Sequence, residues 1–306
     1  MGREPIRYPA VGSGRNRFHV FARQTVTSST GITGIDHAVI VVRDLADANA
    51  KYARLGFRPT PRGHHTKLDT VNHCIMLERD YFEVLGVEKP GPYNEDQRVM
   101  LQDREGLWAL ALQTDDARVA HGRLKAAGFK PTDPVDFARP VELPGRTTDA
   151  RFTVFYFEVD AVPGLRLFLC QHYTRDVVWR PDYLGQANAA KALAHVTLAA
   201  DDPDGAAKAY GRVFGTTPRQ ITGGFAVPAG QAEIRILSAP QAANEFAGDP
   251  VLSYRHPVPL ALGLAVSDRR AAKAALSSRS VPFTESAHGG LRVPSTQANG
   301  VVIDFV

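Results

Sequence analysis

One pattern occurs four times in this chain, and that repetition constrains its fold more than any other feature. The first copy runs Ile35-Asp36-His37-Ala38-Val39-Ile40-Val41-Val42-Arg43-Asp44, an apolar strand that stops at an aspartate. A helical stretch follows from Leu45 to Leu55, with Ala48, Tyr52 and Leu55 on one face, and Gly56-Phe57 closes it. Aspartate suits the start of a helix because its carboxylate accepts from free backbone N–H groups. Glycine suits the exit because it tolerates left-handed backbone. A shift of 72 residues carries Asp44 onto Asp116, and Gly56-Phe57-Arg58-Pro59-Thr60 onto Gly128-Phe129-Lys130-Pro131-Thr132. A shift of 158 carries His37 onto His195, Asp44 onto Asp202 and Tyr52 onto Tyr210. A fourth start spans Leu260 to Asp268, with an alanine-rich helix running on to Ser278. A fixed repeat of this size marks a supersecondary unit used several times.

Each start precedes strand-like segments: Cys74 to Leu77 and Tyr81 to Val87, Arg151 to Val159 and Leu165 to His172, Gly224 to Val227 and Ala232 to Leu237, and Gly290 to Val293 and Val301 to Val306. A strand, a crossover helix and hairpin-like strands make a βαβββ module. The helix covers one face of a curled sheet and leaves the other concave, so two modules side by side form a cup. The expected class is α+β, with four such modules paired into two domains. Residues 31–172 form domain A and 193–306 form domain B, joined by a Pro-, Gly- and polar-rich linker at 173–192.

Residues 1–30 stand apart, with Arg3, Arg7, Arg15, Arg17 and Arg23 against the single acid Glu4 and no apolar core of a secretory signal. They fit an organellar leader, a disordered extension or an upstream start codon. The chain has 306 residues, a net charge of +4 and no dense Lys/Arg block, which argues against a nucleic-acid surface and leaves room for an anionic small molecule. Two cysteines, Cys74 and Cys170, both in apolar runs, read as buried thiols in a reducing compartment, with cytoplasmic location expected. No apolar stretch is long enough to span a bilayer.

The segments Ile35-Asp36-His37 through Arg43-Asp44-Leu45, Leu55-Gly56-Phe57, Arg62-Gly63-His64-His65 with Thr70-Val71-Asn72, and Tyr81-Phe82-Glu83 resemble the vicinal-oxygen-chelate superfamily, within it the glyoxalase-like domain group. Cys170-Gln171-His172, Val178-Trp179-Arg180-Pro181 and Asn188 extend the resemblance, which is looser beyond residue 193. It implies a cup that binds a divalent metal chelated by a substrate's neighbouring oxygens, in a superfamily that includes lyases, epimerases, extradiol dioxygenases and metal-free binders. One ligand comes from a module's first strand and a carboxylate from its last. Those positions are His37 with Glu83 in the first copy. In the second they are Ala109 with Phe168, followed by Gln171 and His172. In the third they are His195 with Glu233, and in the fourth Ala261 with Asp304.

The resemblance thus implies a metal set of His37, Glu83 and His172 or Gln171 in domain A, and a weaker set of His195, Glu233 and Asp304 in domain B. Imidazole plus carboxylate with open positions suits Fe, Mn, Zn or Ni. Glu83 is also the candidate general base. The polar run Arg62 to Asn72 supplies candidate substrate contacts: His65, Asn72, Thr70 and His64 to orient oxygens, and Arg62 or Lys67 to neutralise a carboxylate. Gln171 joins this set, and Arg139 and Arg146 are weaker candidates for the anionic end. Where relatives read His-Pro-Asn, this chain reads Gln186-Ala187-Asn188. The expected function is a metal-assisted lyase or isomerase acting on a small carbonyl or hydroxy-acid substrate. A metal-free, ligand-sequestering cup is the alternative. An extradiol dioxygenase is disfavoured by Ala261, and domain B reads as a structural or homodimer-forming partner.

Overall fold

The computed structural model describes residues 28–65, 67–143, 145–285 and 289–306. Residues 1–27 of the basic 1–30 segment therefore lie outside the described residues. Domain A contains β1 (Gly34–Val42), α1 (Leu45–Arg54), β2 (Gly63–His65), β3 (Thr70–Met76), β4 (Tyr81–Val87), α2 (Glu95–Asp103), β5 (Gly106–Gln113), α3 (Ala117–Ala126), β6 (Val135–Leu143), β7 (Arg146–Tyr156) and β8 (Arg166–His172). After α4 (Arg175–Val178) come β9 (Ala190–Ala200), α5 (Pro203–Phe214), β10 (Arg219–Ile221), β11 (Gly224–Ala229), β12 (Ala232–Ser238), α6 (Ala239–Glu245), β13 (Val258–Val266), α7 (Arg269–Ser277), β14 (Thr284–Glu285), β15 (Leu291–Val293) and β16 (Val302–Phe305).

The strands form two eight-stranded sheets of identical topology, β2-β3-β4-β1-β5-β8-β7-β6 and β10-β11-β12-β9-β13-β16-β15-β14. Within each module the first strand runs parallel to the last, as a crossover helix requires. Two modules then join through their first strands, β1 against β5 and β9 against β13, both antiparallel. The four helix starts are built alike. Asp44, Asp116, Asp202 and Asp268 each cap a helix, accepting from backbone N–H groups two or three residues on.

The helix-facing sides of both sheets share one continuous apolar core. Tyr52 on α1 and Tyr210 on α5, equivalent under the repeat, are both fully buried. Each donates its hydroxyl across the domain boundary, Tyr52 to the Ala298 carbonyl at 3.1 Å and Tyr210 to the Pro163 carbonyl at 2.9 Å. Phe57 of domain A stacks on Phe305 of domain B, with ring centroids 6.0 Å apart. Burying an aromatic side chain of this kind contributes on the order of 2–3 kcal/mol, so these contacts bind the domains into one body.

Several elements exceed the sequence reading. Short outer strands β2, β10 and β14 begin each hairpin set, and β6 does so with Pro140 in its run, which an edge strand tolerates. The 173–192 segment is not a free tether. It carries α4, buries Val177 and Val178, and its last three residues open β9. No helix among the described residues is long and apolar enough to cross a membrane.

Asp80 anchors the domains to each other. Its carboxylate is almost fully buried, accepting from the Leu193 N–H at 2.8 Å and from Arg79 Nε at 3.0 Å. Burial outweighs both partners and lifts its pKa from 3.8 to about 6. A raised carboxyl pKa stabilises the fold fully below the unfolded value, and that contribution is lost as pH rises through the folded one. Denaturation midpoints measured between about pH 4 and pH 7 will carry this decline in the native chain, and Asp80→Asn will flatten it. The buried Asp36, whose pKa is lowered, acts with the opposite sign and in a more acidic range. Removing one helix cap with Asp44→Ala is expected to cost about 1 kcal/mol in urea denaturation with an unchanged slope.

Candidate functional site

The concave face of the first sheet is laid out by strand register. On β1, Ile35, Ala38, Ile40 and Val42 belong to the shared core, whereas Val39 and Val41 face the cup. Strict alternation would send Asp36 and His37 to opposite faces. The register slips between Ile35 and His37, so one extra residue enters β1 opposite β5. Such a bulge re-aims side chains, and here it places both groups within reach of the cup. On β4, Tyr81 pairs with His37 and Glu83 with Val39, while Phe82 points into the core. On β8, Phe168 pairs with Ala111, and Leu167 and Leu169 take the core side. Ala109 and Ala111 give the cup a floor of small side chains between Val39 and β8.

Two imidazoles converge on Asp36. Its Oδ1 accepts from His37 Nδ1 at 2.7 Å and from His172 Nε2 at 3.1 Å. Only an N–H can donate to a carboxylate, so His37 Nδ1 and His172 Nε2 carry the hydrogens, and His37 Nε2 faces the cup. Burial opposes the charge on Asp36, but His172 first, then His37, holds the carboxyl well below its usual range. The His37 ring is stacked on Tyr81 at 4.3 Å and met edge-on by Phe168 at 5.4 Å. A ring gripped on its face, edge and Nδ1 has one orientation.

Glu83 lies opposite. Its Oε2 is 3.9 Å from His37 Nε2, and its Oε1 is 3.8 Å from His65 Nε2. Asn72 Nδ2 donates to Glu83 Oε1. Asn72 itself needs the glycine across from it on β2, because a Cβ at Gly63 would fall 2.2 Å from its Oδ1. His65 is fixed through Nδ1 by Thr70 Oγ1 at 3.0 Å, and burial lowers its pKa, favouring the neutral ring. Arg139 on β6 lies 6.0 Å over the Phe152 ring, and its charge reaches His65, Cys74 and Cys170.

The sequence candidates thus divide. His37, Glu83, His65, Thr70 and Asn72 meet in the cup. Arg62 and His64 do not, since both pair with Glu88 on the outer side of β2, at 2.6 and 2.7 Å. Gln171 faces the helix layer and braces the start of α3, accepting from the Ala117 N–H and donating to the Asp115 carbonyl. His172 turns to Asp36 rather than Glu83, and His65 takes the place beside that carboxylate. Gln186 also stays out of the cup, bonding the Arg58 N–H and the Met76 and Tyr183 carbonyls. Sequence reasoning passed over Asp36, because only the bulge turns it toward the cup.

Domain B carries the same frame with different chemistry. Glu233 pairs in register with His195 itself, so it matches Tyr81; Arg235 stands where domain A has Glu83. Glu233 is held by Arg219, and Asp304 by a two-pronged contact from Arg292 at 2.7 Å. His195 Nε2 lies 3.9 Å from Asp304, and its ring occupies space that a side chain at Gly263 would fill. Arginines already neutralise both carboxylates of this second set.

Comparison with known proteins agrees with this architecture. The fold is similar to that of a hypothetical protein from Staphylococcus aureus (TM-score 0.62, 12% identity, covering 89% of this chain and 98% of the other). It is also similar to that of a 4-hydroxymandelate synthase mutant from Streptomyces coelicolor (TM-score 0.59, 15% identity, covering 90% and 92%). At these identities the likeness concerns the fold alone. A search of curated proteins gave no match. The sequence profile of the glyoxalase-like domain matches residues 35–214. With more than half of the chain matched and both sheets in the expected topology, the chain belongs to the glyoxalase-like domain family of the vicinal-oxygen-chelate superfamily.

Proposed function

We propose that the domain A cup is the site of a glyoxalase-type lyase or isomerase that acts on a small carbonyl or hydroxy acid, with a divalent ion held by His37 and Glu83. The observation that carries this reading is the state of Glu83. It is buried, yet among the described residues no lysine or arginine pairs with it, and two imidazole nitrogens face it at 3.8 and 3.9 Å. Two other buried carboxylates do have such a cation: Asp80 has Arg79 and Asp304 has Arg292. A buried carboxylate without a cation is costly, and a bound cation would offset that cost.

The donor set fits such an ion. Neutral imidazole nitrogens and a carboxylate are the ligands that Fe, Mn, Zn and Ni share. Asp36 on the far nitrogen of His37 supplies the outer contact that usually orients a ligating histidine. When bound, the ion would polarise a substrate oxygen and acidify a proton beside it. The chain's own residues do the rest. Asn72 and His65 orient oxygens, Arg139 neutralises an anionic end, and Tyr81 and Phe168 wall the substrate over the alanine floor. Glu83 takes up the proton in this reading.

Elemental analysis after purification tests the reading, performed in Cys170→Ser chains so that thiol-bound metal does not contribute. Near-stoichiometric divalent metal is expected, falling at least about tenfold in His37→Ala and in Glu83→Gln. If the chain takes up no metal after reconstitution with Fe, Mn, Zn and Ni, the mechanism fails and the metal-free binding cup replaces it.

A further inference from the structure

Behind His37, away from Glu83, lies a second group of ligand-type side chains. Asp36, Cys170 and His172 place their ligand atoms within 4.8 Å of one another, the one such trio among the described residues. It shares no residue with the His37 and Glu83 pair. One member, Asp36, carries a buried oxygen without a hydrogen-bond partner, Oδ2, on the carboxylate that faces His172 Nε2. The side chains of Asp36 and His172 are both nine-tenths buried or more. Bare buried polar atoms are uncommon, and a missing ion is one of their recognised causes.

We propose that Asp36, Cys170 and His172 form a second cation site, selective for a thiolate-seeking ion such as Zn2+. Three features support it. The 3.1 Å separation of His172 Nε2 and Asp36 Oδ1 suits two neighbouring ligands, each about 2.0–2.2 Å from one ion. Sulfur, imidazole and carboxylate together favour zinc over magnesium or calcium. A cavity of about 140 Å3, lined by Cys170 and His172 with Gln113, Thr114, Asp115, Gln171 and Arg175, gives the trio a route separate from the cup. Arg175 does not block it electrostatically in full, since its guanidinium stacks on Trp179 at 3.4 Å and donates to the Arg79 carbonyl.

The chemistry balances without a redox partner. Burial keeps the Cys170 thiol protonated, so binding exchanges its proton for the ion and releases it to solvent. The His172 proton passes from Nε2 to Nδ1, and Nε2 coordinates. One carboxylate charge and one thiolate charge then neutralise the divalent ion in a dry site. Asp36 Oδ1 still accepts from His37 Nδ1, so the ion sits one hydrogen bond behind the cup.

Cobalt(II) serves as the probe, because a sulfur-to-cobalt charge-transfer band in the near ultraviolet reports thiolate ligation. The protein is stripped with a chelator and titrated with Co2+, and Zn2+ is then added to displace it. The expected result is a saturating band at one ion per chain, bleached by Zn2+. The band should be lost in Cys170→Ser and in His172→Gln, and kept in Cys74→Ser and Glu83→Gln. Near-native circular dichroism of Cys170→Ser guards against a folding artefact. Absence of the band in the native chain, or its survival in Cys170→Ser, overturns the proposal. Cobalt bound without the band and released by Glu83→Gln would likewise overturn it, while leaving the cup metal reading intact.

Discussion

Two imidazoles share one buried oxygen, Asp36 Oδ1, and the geometry of the cup follows from that arrangement. Without it, the His37 ring would be free to present either nitrogen. With it, Nδ1 is committed and Nε2 faces Glu83. The arrangement rests on the backbone irregularity between Ile35 and His37. A regular strand would send Asp36 into the apolar core, where an unpaired carboxylate is strongly disfavoured. The bulge thus brings both neighbours to one face.

The two domains show how one scaffold accommodates opposite electrostatic solutions. Domain A sets Glu83 against two imidazoles and, among the described residues, no lysine or arginine. Domain B meets Asp304 with Arg292 and Glu233 with Arg219, and Glu245 takes Arg235 and Arg292 together. These ion pairs are internal to the protein and fixed by register. The same strands that carry ligand-type residues in one half therefore carry self-neutralising pairs in the other.

Much of the fold was legible because it rests on local rules. An aspartate before each helix, a glycine after the first three and alternating apolar strands recur with a fixed offset, and all four caps form. The outer strands were less readable: β2 is three residues of polar character, and β6 contains a proline. In the site, His37 and Glu83 were readable from their positions on strands, and Asn72 and His65 from a polar run entering one. Gln171 and His172 were not, because adjacent residues on a strand face opposite ways and only the register decides which. Glu233 failed for the same reason, by a slip of two places. Arg62 and His64 looked like binding groups, but the outward side of a three-residue strand gives them Glu88 as a partner instead.

The crossing of the domain boundary by Tyr52, Tyr210 and the Phe57–Phe305 stack bears on how the chain is made. Helix α1 is among the first described elements to leave the ribosome, yet its Tyr52 hydroxyl bonds the Ala298 carbonyl, and Phe57 just after it stacks on Phe305 of the last strand, β16. Until that end of the chain emerges, Tyr52 and Phe57 lack these two partners. The last contacts of domain A therefore form only when domain B arrives.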